Sequence, residues 1–366
     1  MSRFLFSAGE ASGDAYAAAL AERILAADPS AKIAGMGGRR LGAVGRLVAD
    51  SSRYGAMGII EAALVAPRVI RGRNAMLREL KSGEPGVFVP IDFGFVNVKL
   101  TAAAKARGWR VLYFVPPGSW RRRDPNPQLG QVSHEIVTPF PWSAEAFARQ
   151  GVSAHWFGHP LVEMLAQTPT PPERAGIALL PGSREHELAY NLPILARVVR
   201  EVGMPAEIAV ASSLDPKVVQ QIWRQAVGDH PVTLTQNDTS GVLKRAVAAL
   251  VCSGTATLEA ALCDTPCVVV YRGSKLMEIE YRIRKPKFDF ISLPNILLQR
   301  GLLPELIQHA ATEERILQEL RDIVPGGNQR AAQLAGFAEL REACGPPNAI
   351  TKTAELALQM ARKVSS

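Results

Sequence analysis

The segment Ser253-Gly254-Thr255-Ala256-Thr257-Leu258-Glu259 has the composition of a turn that opens a helix. It follows a small apolar run, Ala246–Cys252, of the kind found in parallel strands buried on both faces. Such a turn leaves backbone N–H groups at the positive end of the helix, where a phosphate is held by hydrogen bonds and by the aligned peptide dipoles. Ser253, Gly254 and Thr255 are therefore candidate phosphate-binding residues. Glu259 is expected in the first helical turn. A carboxylate beside a phosphate is unfavourable, so Glu259 either grips uncharged groups such as ribose hydroxyls or merely complements the helix dipole.

Other loops carry chemistry of a similar kind. Leu180-Pro181-Gly182-Ser183-Arg184 ends an apolar run; the Arg184 guanidinium fork suits phosphate oxygens, and an ion pair to Glu187 is the competing reading. In Ser292-Leu293-Pro294-Asn295 the Asn295 amide either bonds a base or sugar or simply forms a turn. Near the start, Gly9-Glu10-Ala11-Ser12-Gly13-Asp14 follows a first strand, and its glycines permit a tight turn and close approach of a ligand. Its spacing is not the dinucleotide fingerprint, and no acid stands where a nicotinamide cofactor needs one. Gly35-Met36-Gly37-Gly38 forms a second tight turn. Asp92 closes the apolar run Val87–Pro90–Ile91, where it serves either as a general base or as a cap of the next helix. The stretch from Tyr113 through Pro116-Pro117 to Arg121-Arg122-Arg123 is a stiff loop ending in positive charge, fit for an anionic head group. His155 and His159 have the spacing of a metal pair but share no helix, which argues against zinc; no metal site is expected.

The elements that must position these residues are legible in the alternation of the chain. Strand candidates are Arg3–Ser7, Lys32–Gly35, Val87–Pro90, Arg110–Phe114, Glu135–Thr138 and Ala154–Phe157, then Gly176–Leu180, Glu207–Ala211, Pro231–Leu234, Ala248–Cys252 and Cys267–Tyr271. Helical patterns lie between most of them, which predicts an α/β fold of two Rossmann-like domains with parallel sheets. The stiff segment Gln167-Thr168-Pro169-Thr170-Pro171-Pro172 reads as a linker. The expected domains are residues 1–168 and 173–311, with helices over 312–366 packing on one or both. Two such domains are expected to face each other across a cleft, with ligands at the carboxyl ends of the strands.

Composition narrows the function. The 366 residues carry a net charge of +8, 47% hydrophobic residues and only 6% aromatic ones. No apolar run approaches the ~20 residues of a membrane span. Positive charge fits nucleic acid, an anionic membrane or a phosphorylated substrate, but no basic segment is interleaved with aromatics, so nucleic acid is not expected. Arg68, Arg71, Arg73 and Arg78 form one basic cluster, which a plain solvated face would also explain. The four cysteines show no metal or disulfide pattern and read as buried thiols in a reducing, cytosolic setting.

Taken together and in order, Gly9–Asp14, Met57-Gly58-Ile59-Ile60-Glu61, Gly158-His159-Pro160-Leu161, Leu180–Arg184, Ser253–Glu259 and Ser292–Asn295 resemble the lipid-A-disaccharide synthase family, family 19 glycosyltransferases of the GT-B fold. The resemblance implies transfer of 2,3-diacylglucosamine from UDP-2,3-diacylglucosamine to 2,3-diacylglucosamine 1-phosphate, with inversion, a β-1,6 linkage and release of UDP. It implies Asp92 as the base, Arg184 and Ser253–Thr255 as stabilisers of the leaving diphosphate, Glu259 at the ribose, and Asn295 as a residue important for activity. Gly9, Glu10, Ser12, Gly13, Arg68, Arg71, Arg121 and Arg122 fall on the acceptor and lipid side. The family works without a bound metal or other cofactor. Its substrates are held in the inner membrane, so a peripheral position on the cytoplasmic face is implied, and a homodimer is compatible with the resemblance. The stretch Ile59–Leu80, with Leu64, Val65, Val69, Ile70, Met76 and Leu77 among arginines, suits a docking face or, equally, a core helix with a basic outer side.

Two loops depart from the family. Where it reads Ile-Asp-Ala-Pro-Asp-Phe-Asn, this chain has Ile91-Asp92-Phe93-Gly94-Phe95-Val96-Asn97, and its Ser-Pro-x-x-Trp-Ala-Trp-Arg becomes Val115-Pro116-Pro117-Gly118-Ser119-Trp120-Arg121-Arg122. Both belong to the acceptor side. A related GT-B enzyme on another UDP-sugar or acceptor, or a non-catalytic membrane-peripheral protein that binds UDP or lipid, are the alternative readings.

Overall fold

A computed structural model of the chain describes residues 1–52, 54–55, 59–122, 124–274 and 289–365. The chain divides into two compact units, Met1–Met164 with Cys344–Ser366, and Leu165–Ala343.

In unit 1, strands β1 (Arg3–Ala8), β2 (Lys32–Gly37), β3 (Arg46–Asp50), β4 (Val87–Ile91), β5 (Arg110–Phe114), β6 (Glu135–Thr138) and β7 (Ala154–Trp156) form one sheet in the order β3-β2-β1-β4-β5-β6-β7. Every pairing is parallel. The crossovers are helical: α1 (Ala11–Ala27), α2 (Arg39–Val44), α3 (Ile59–Ser82), α4 (Gly94–Lys105), α5 (Pro127–Val132), α6 (Pro141–Arg149) and α7 (Pro160–Ala166). One core packs Leu5, Met36, Phe88 and Val111 of the sheet against Met76, Leu80, Val96 and Leu100 of α3 and α4, with Trp109 beside them. Side chains of this size contribute roughly 1.5–3 kcal/mol each when fully buried.

Unit 2 repeats the winding. Strands β8 (Ile177–Leu180), β9 (Ala206–Val210), β10 (Thr233–Gln236), β11 (Ala248–Cys252), β12 (Cys267–Tyr271) and β13 (Glu305–Ile307) lie in the order β10-β9-β8-β11-β12-β13. Its helices are α8 (Glu185–Val202), α9 (Pro216–Val227), α10 (Thr239–Arg245), α11 (Thr255–Leu262), α12 (Leu293–Leu298), α13 (Glu313–Ile323) and α14 (Arg330–Cys344). Trp223, Leu188, Leu192 and Leu250 anchor its core.

The strand expectations hold to within a residue or two, but β3 and β13 were not anticipated. β3 is an edge strand, Arg-Leu-Val-Ala-Asp, none of whose residues is fully buried, so its pattern is weak. β13 is an edge strand of three residues. The four cysteines are buried and free.

The final helix, α15 (Ala349–Ser365), belongs to unit 1. Buried Glu163 of α7 holds its amino end, accepting hydrogen bonds from Ile350 N at 2.7 Å, Thr351 N at 3.2 Å and Thr351 Oγ1 at 2.5 Å. A carboxylate at a helix amino end satisfies unpaired N–H groups and complements the dipole.

Candidate functional site

In a doubly wound sheet the strand order reverses at one point, and the loops leaving the two strands there part to form a crevice. In unit 1 that point lies between β1 and β4, and in unit 2 between β8 and β11. The sequence motifs Gly9–Asp14, Asp92, Pro181–Arg184 and Ser253–Thr255 each leave one of these four strands.

At the unit 1 reversal, Asp92 and Phe93 are both left-handed, with φ of 43° and 48°, and Val115 at the end of β5 has φ 51°. Non-glycine residues are uncommon there and such strain gathers at functional sites. The strain is held by hydrogen bonds. Asp92 N donates to Val115 O at 3.1 Å, while the Asp92 carbonyl accepts from Asn97 Nδ2 at 3.0 Å and Tyr113 Oη at 2.9 Å. Asn97, fully buried, also donates to the Ser7 carbonyl and accepts from Ser7 Oγ at 2.6 Å, which ties the end of β4 to the end of β1. Asn97 and Tyr113 thus position Asp92. Neither was singled out from the sequence for that task, because both contacts reach across the fold.

Gly9 is required by Phe93: a Cβ at position 9 would stand 2.2 Å from the Phe93 ring, and that ring stacks on Tyr54 at 6.4 Å. Glu10 is the residue from which α1 starts, and Ser12 and Gly13 lie in its first turn. Asp14 has a structural task. Its buried carboxylate accepts from Gly38 N at 2.6 Å, Arg40 N at 3.0 Å and Leu41 N at 3.1 Å, capping α2 and fixing the Gly37-Gly38 turn.

Asp92 is an exposed residue at the end of β4. Dense protein beyond it still weakens its solvation, and with the Glu10 carboxylate in the same field its pKa is pushed up to about 6. A carboxylate tuned towards neutrality suits proton abstraction.

At the unit 2 reversal, Gly254 has φ 152°, a Cβ there would meet nothing within 4 Å, and no side chain caps α11. The turn therefore presents bare backbone at a helix amino end, with open space before it. The helix opens at Thr255, so Glu259 lies just beyond the first turn rather than within it. A dipole contribution is weaker there. Arg184, at the start of α8, pairs through Nη1 with Glu187 Oε1 at 2.5 Å, and the other Glu187 oxygen accepts from Ser183 N at 2.9 Å. Arg184 leaves β8, the strand adjacent to β11, from which the phosphate-type turn leaves.

Asn295 is buried. Nδ2 donates to Leu303 O and Glu305 Oε1, both at 2.8 Å, and Oδ1 accepts from Leu302 N and Leu303 N. Glu305 also accepts from Ile291 N and Ser292 N, and Ile291 O accepts from Ser253 Oγ at 3.3 Å.

Arg68 and Arg71 are exposed and line a recess of about 350 Å³ with Asp50 and Tyr54, the residue that stacks on Phe93. On the β5 loop, Arg122 lies over Trp142 at 4.2 Å, Trp142 stacks on Phe140 at 4.7 Å, and Arg121 lies over Trp120 at 4.7 Å. This loop abuts the start of α4, since a Cβ at Gly94 would stand 2.7 Å from Pro117. Arg123, Met57 and Gly58 lie outside the described residues. Leu64 and Ile70 of α3 are exposed, whereas Met76 is buried in the core. Among the described residues no helix is long and apolar enough to cross a membrane.

Two doubly wound units, each with its ligand-type loops at the strand reversal, define the GT-B class. Solved structures of that class share the fold: a UDP complex of S. aureus MnaA has a TM-score of 0.63 at 12% identity, covering 96% of this chain and 94% of that one. MurG of Acinetobacter baumannii gives 0.54 at 14% identity, covering 98% and 100%. Within the class the relationship is closer. Residues 4–359 match the family model for lipid-A-disaccharide synthetase. The lipid-A-disaccharide synthase of Koribacter versatilis (strain Ellin345) is 34% identical over 361 residues, 93% of each chain, and that of Myxococcus xanthus (strain DK1622) is 33% identical over 378 residues, 98% of this chain and 97% of that one. The chain belongs to the lipid-A-disaccharide synthetase family, and so to the UDP-sugar glycosyltransferases of lipid A biosynthesis.

Proposed function

We propose that this chain transfers 2,3-diacylglucosamine from UDP-2,3-diacylglucosamine to the 6-hydroxyl of 2,3-diacylglucosamine 1-phosphate. Asp92 takes the hydroxyl proton as the oxygen attacks the anomeric carbon, and UDP leaves with the bond electrons. The open turn Ser253–Thr255 and Arg184 stabilise the charge growing on the departing diphosphate, the usual seat of the largest electrostatic contribution. Glu259 bonds the ribose, and Asn295 acts from behind by holding the Ile291–Ser292 backbone through Glu305. Gly9, Glu10, Ser12 and Gly13 shape the acceptor side, and Arg68, Arg71, Arg121 and Arg122 face its phosphate or anionic lipid. The exposed apolar residues of α3 touch the membrane surface, and the enzyme works at the cytoplasmic face of the inner membrane. A homodimer is compatible with this scheme.

The observation that carries the proposal is the match to one family along residues 4–359, with the shared motifs on the strands where each sheet reverses. The test is UDP release from UDP-2,3-diacylglucosamine with and without the acceptor phosphate. Release that needs the acceptor supports the transfer. Turnover of a different UDP-sugar, or UDP binding with no turnover, refutes it.

A further inference from the structure

The amino ends of the unit 1 strands, opposite the loops described above, surround an open recess of about 1220 Å³. Its basic lining comes from the first residues of four strands and from the last turn of α15: Arg3, Lys32, Arg46, Arg110 and Lys363. Among the described residues Glu84 is the one acid lining it.

Part of this charge has a structural use. Arg3 and Arg46 share Glu79, at 2.7 and 2.6 Å. Helix carboxyl ends also gather here, and each carries about half a negative charge. Lys81 of α3, Lys105 of α4 and Arg362 with Lys363 of α15 stand in those last turns, whereas α1, which leads into β2, has no basic residue in its own. Lys32, Arg110 and Lys363 have no carboxylate partner among the described residues. Arg110 goes further: its Nε is buried and has no hydrogen-bond partner, which is a costly state for a charged group.

We infer that this recess is a second anion site, which takes an extended ligand carrying two or more phosphate charges. The strand order sets the ligand's length. β2 and β5 are separated by β1 and β4, so Lys32 and Arg110 begin on strands on the order of 14 Å apart. A single phosphate cannot engage both ends; an oligophosphate, or a lipid head group with its neighbours, can. The site is also remote from Asp92, which lies at the other end of β4, roughly 15 Å along the strand. Because Lys363 is in the last turn of α15, the ligand clasps the carboxyl end of the helix whose amino end Glu163 holds. The inference does not depend on the proposed transfer.

The experiment titrates tripolyphosphate into the full chain saturated with UDP, so that donor-type sites are occupied, against sodium chloride of matched ionic strength. Calorimetry and the melting temperature are the readouts. Binding in the parent, weakened about tenfold or more in a Lys32→Gln, Arg110→Gln, Lys363→Gln variant, is expected. Where loss of Arg110 disturbs folding, the Lys32→Gln, Lys363→Gln pair gives a smaller loss in the same direction. Co-sedimentation with phosphatidylglycerol vesicles separates the sources: vesicle binding lost in the same variants identifies a lipid head group, and unchanged vesicle binding a soluble phosphate. Equal tripolyphosphate affinity in parent and variants, or no binding beyond the matched salt, overturns the inference.

Discussion

The two units wind their strands in the same order, yet their reversal points are chemical opposites. In unit 1 the loops bring Glu10 into the field of Asp92, whose backbone is left-handed, and Asp92 is driven towards its neutral form. In unit 2 they offer Arg184 and an uncapped helix amino end with open space at Gly254. The topology fixes where a crevice forms; a few loop residues set the charge it presents.

Substitutions can break this contrast. The largest effect is expected from Asp92→Asn, which keeps the shape and removes the proposed base: turnover should fall by ~10²–10⁴ with UDP affinity unchanged, read by UDP release and UDP titration. An equal loss of UDP affinity would erase the division between the two loops. Arg184→Ala should act on the other half, lowering turnover by about 10² and weakening UDP as well. Unchanged kinetics would confine Arg184 to its ion pair with Glu187.

Acidity sharpens the comparison. With Asp92 at about 6, kcat/KM should fall about tenfold per unit below pH 6, and Asp92→Asn should remove that limb. Stability carries the matching sign. A carboxyl raised from 3.8 favours the fold when protonated, and that contribution is complete below pH 3.8 and lost as pH rises through 6. Asp92→Asn should therefore gain stability over the parent between pH 4 and 7 in urea melts; a constant difference would deny the shift. The smallest effect is on unit 1 alone: Glu163→Gln should cost ~1–2 kcal/mol by weakening the hold on α15, with UDP affinity untouched.

Much of this architecture is written in local pattern. Buried strands such as Arg110–Phe114 and Ala248–Cys252 match their expected bounds, because continuous apolar runs leave little choice. β3 and β13 escaped because short edge strands bury too little to show a pattern. The turns that carry the candidate residues were legible from composition, as at Gly254 and Asp92. It was opaque where a side chain works at long range. Asn97 and Glu305 act on backbone brought near by folding, and Asp14 sits inside a glycine-rich motif while serving a helix on another crossover. Arg184 with Glu187 shows a third case, in which a sequence offers two partners for one guanidinium and the fold supplies the intramolecular one.

Unit 1 is built from both ends of the chain. Its sheet can be translated early, but Glu163 waits for Ile350 and Thr351, which emerge from the ribosome 187 and 188 residues later. Unit 2 is continuous and can complete itself first. A stop codon shortly before Ala349 would thus injure the half that was synthesised first, and nascent chains should reach protease resistance in unit 2 before unit 1.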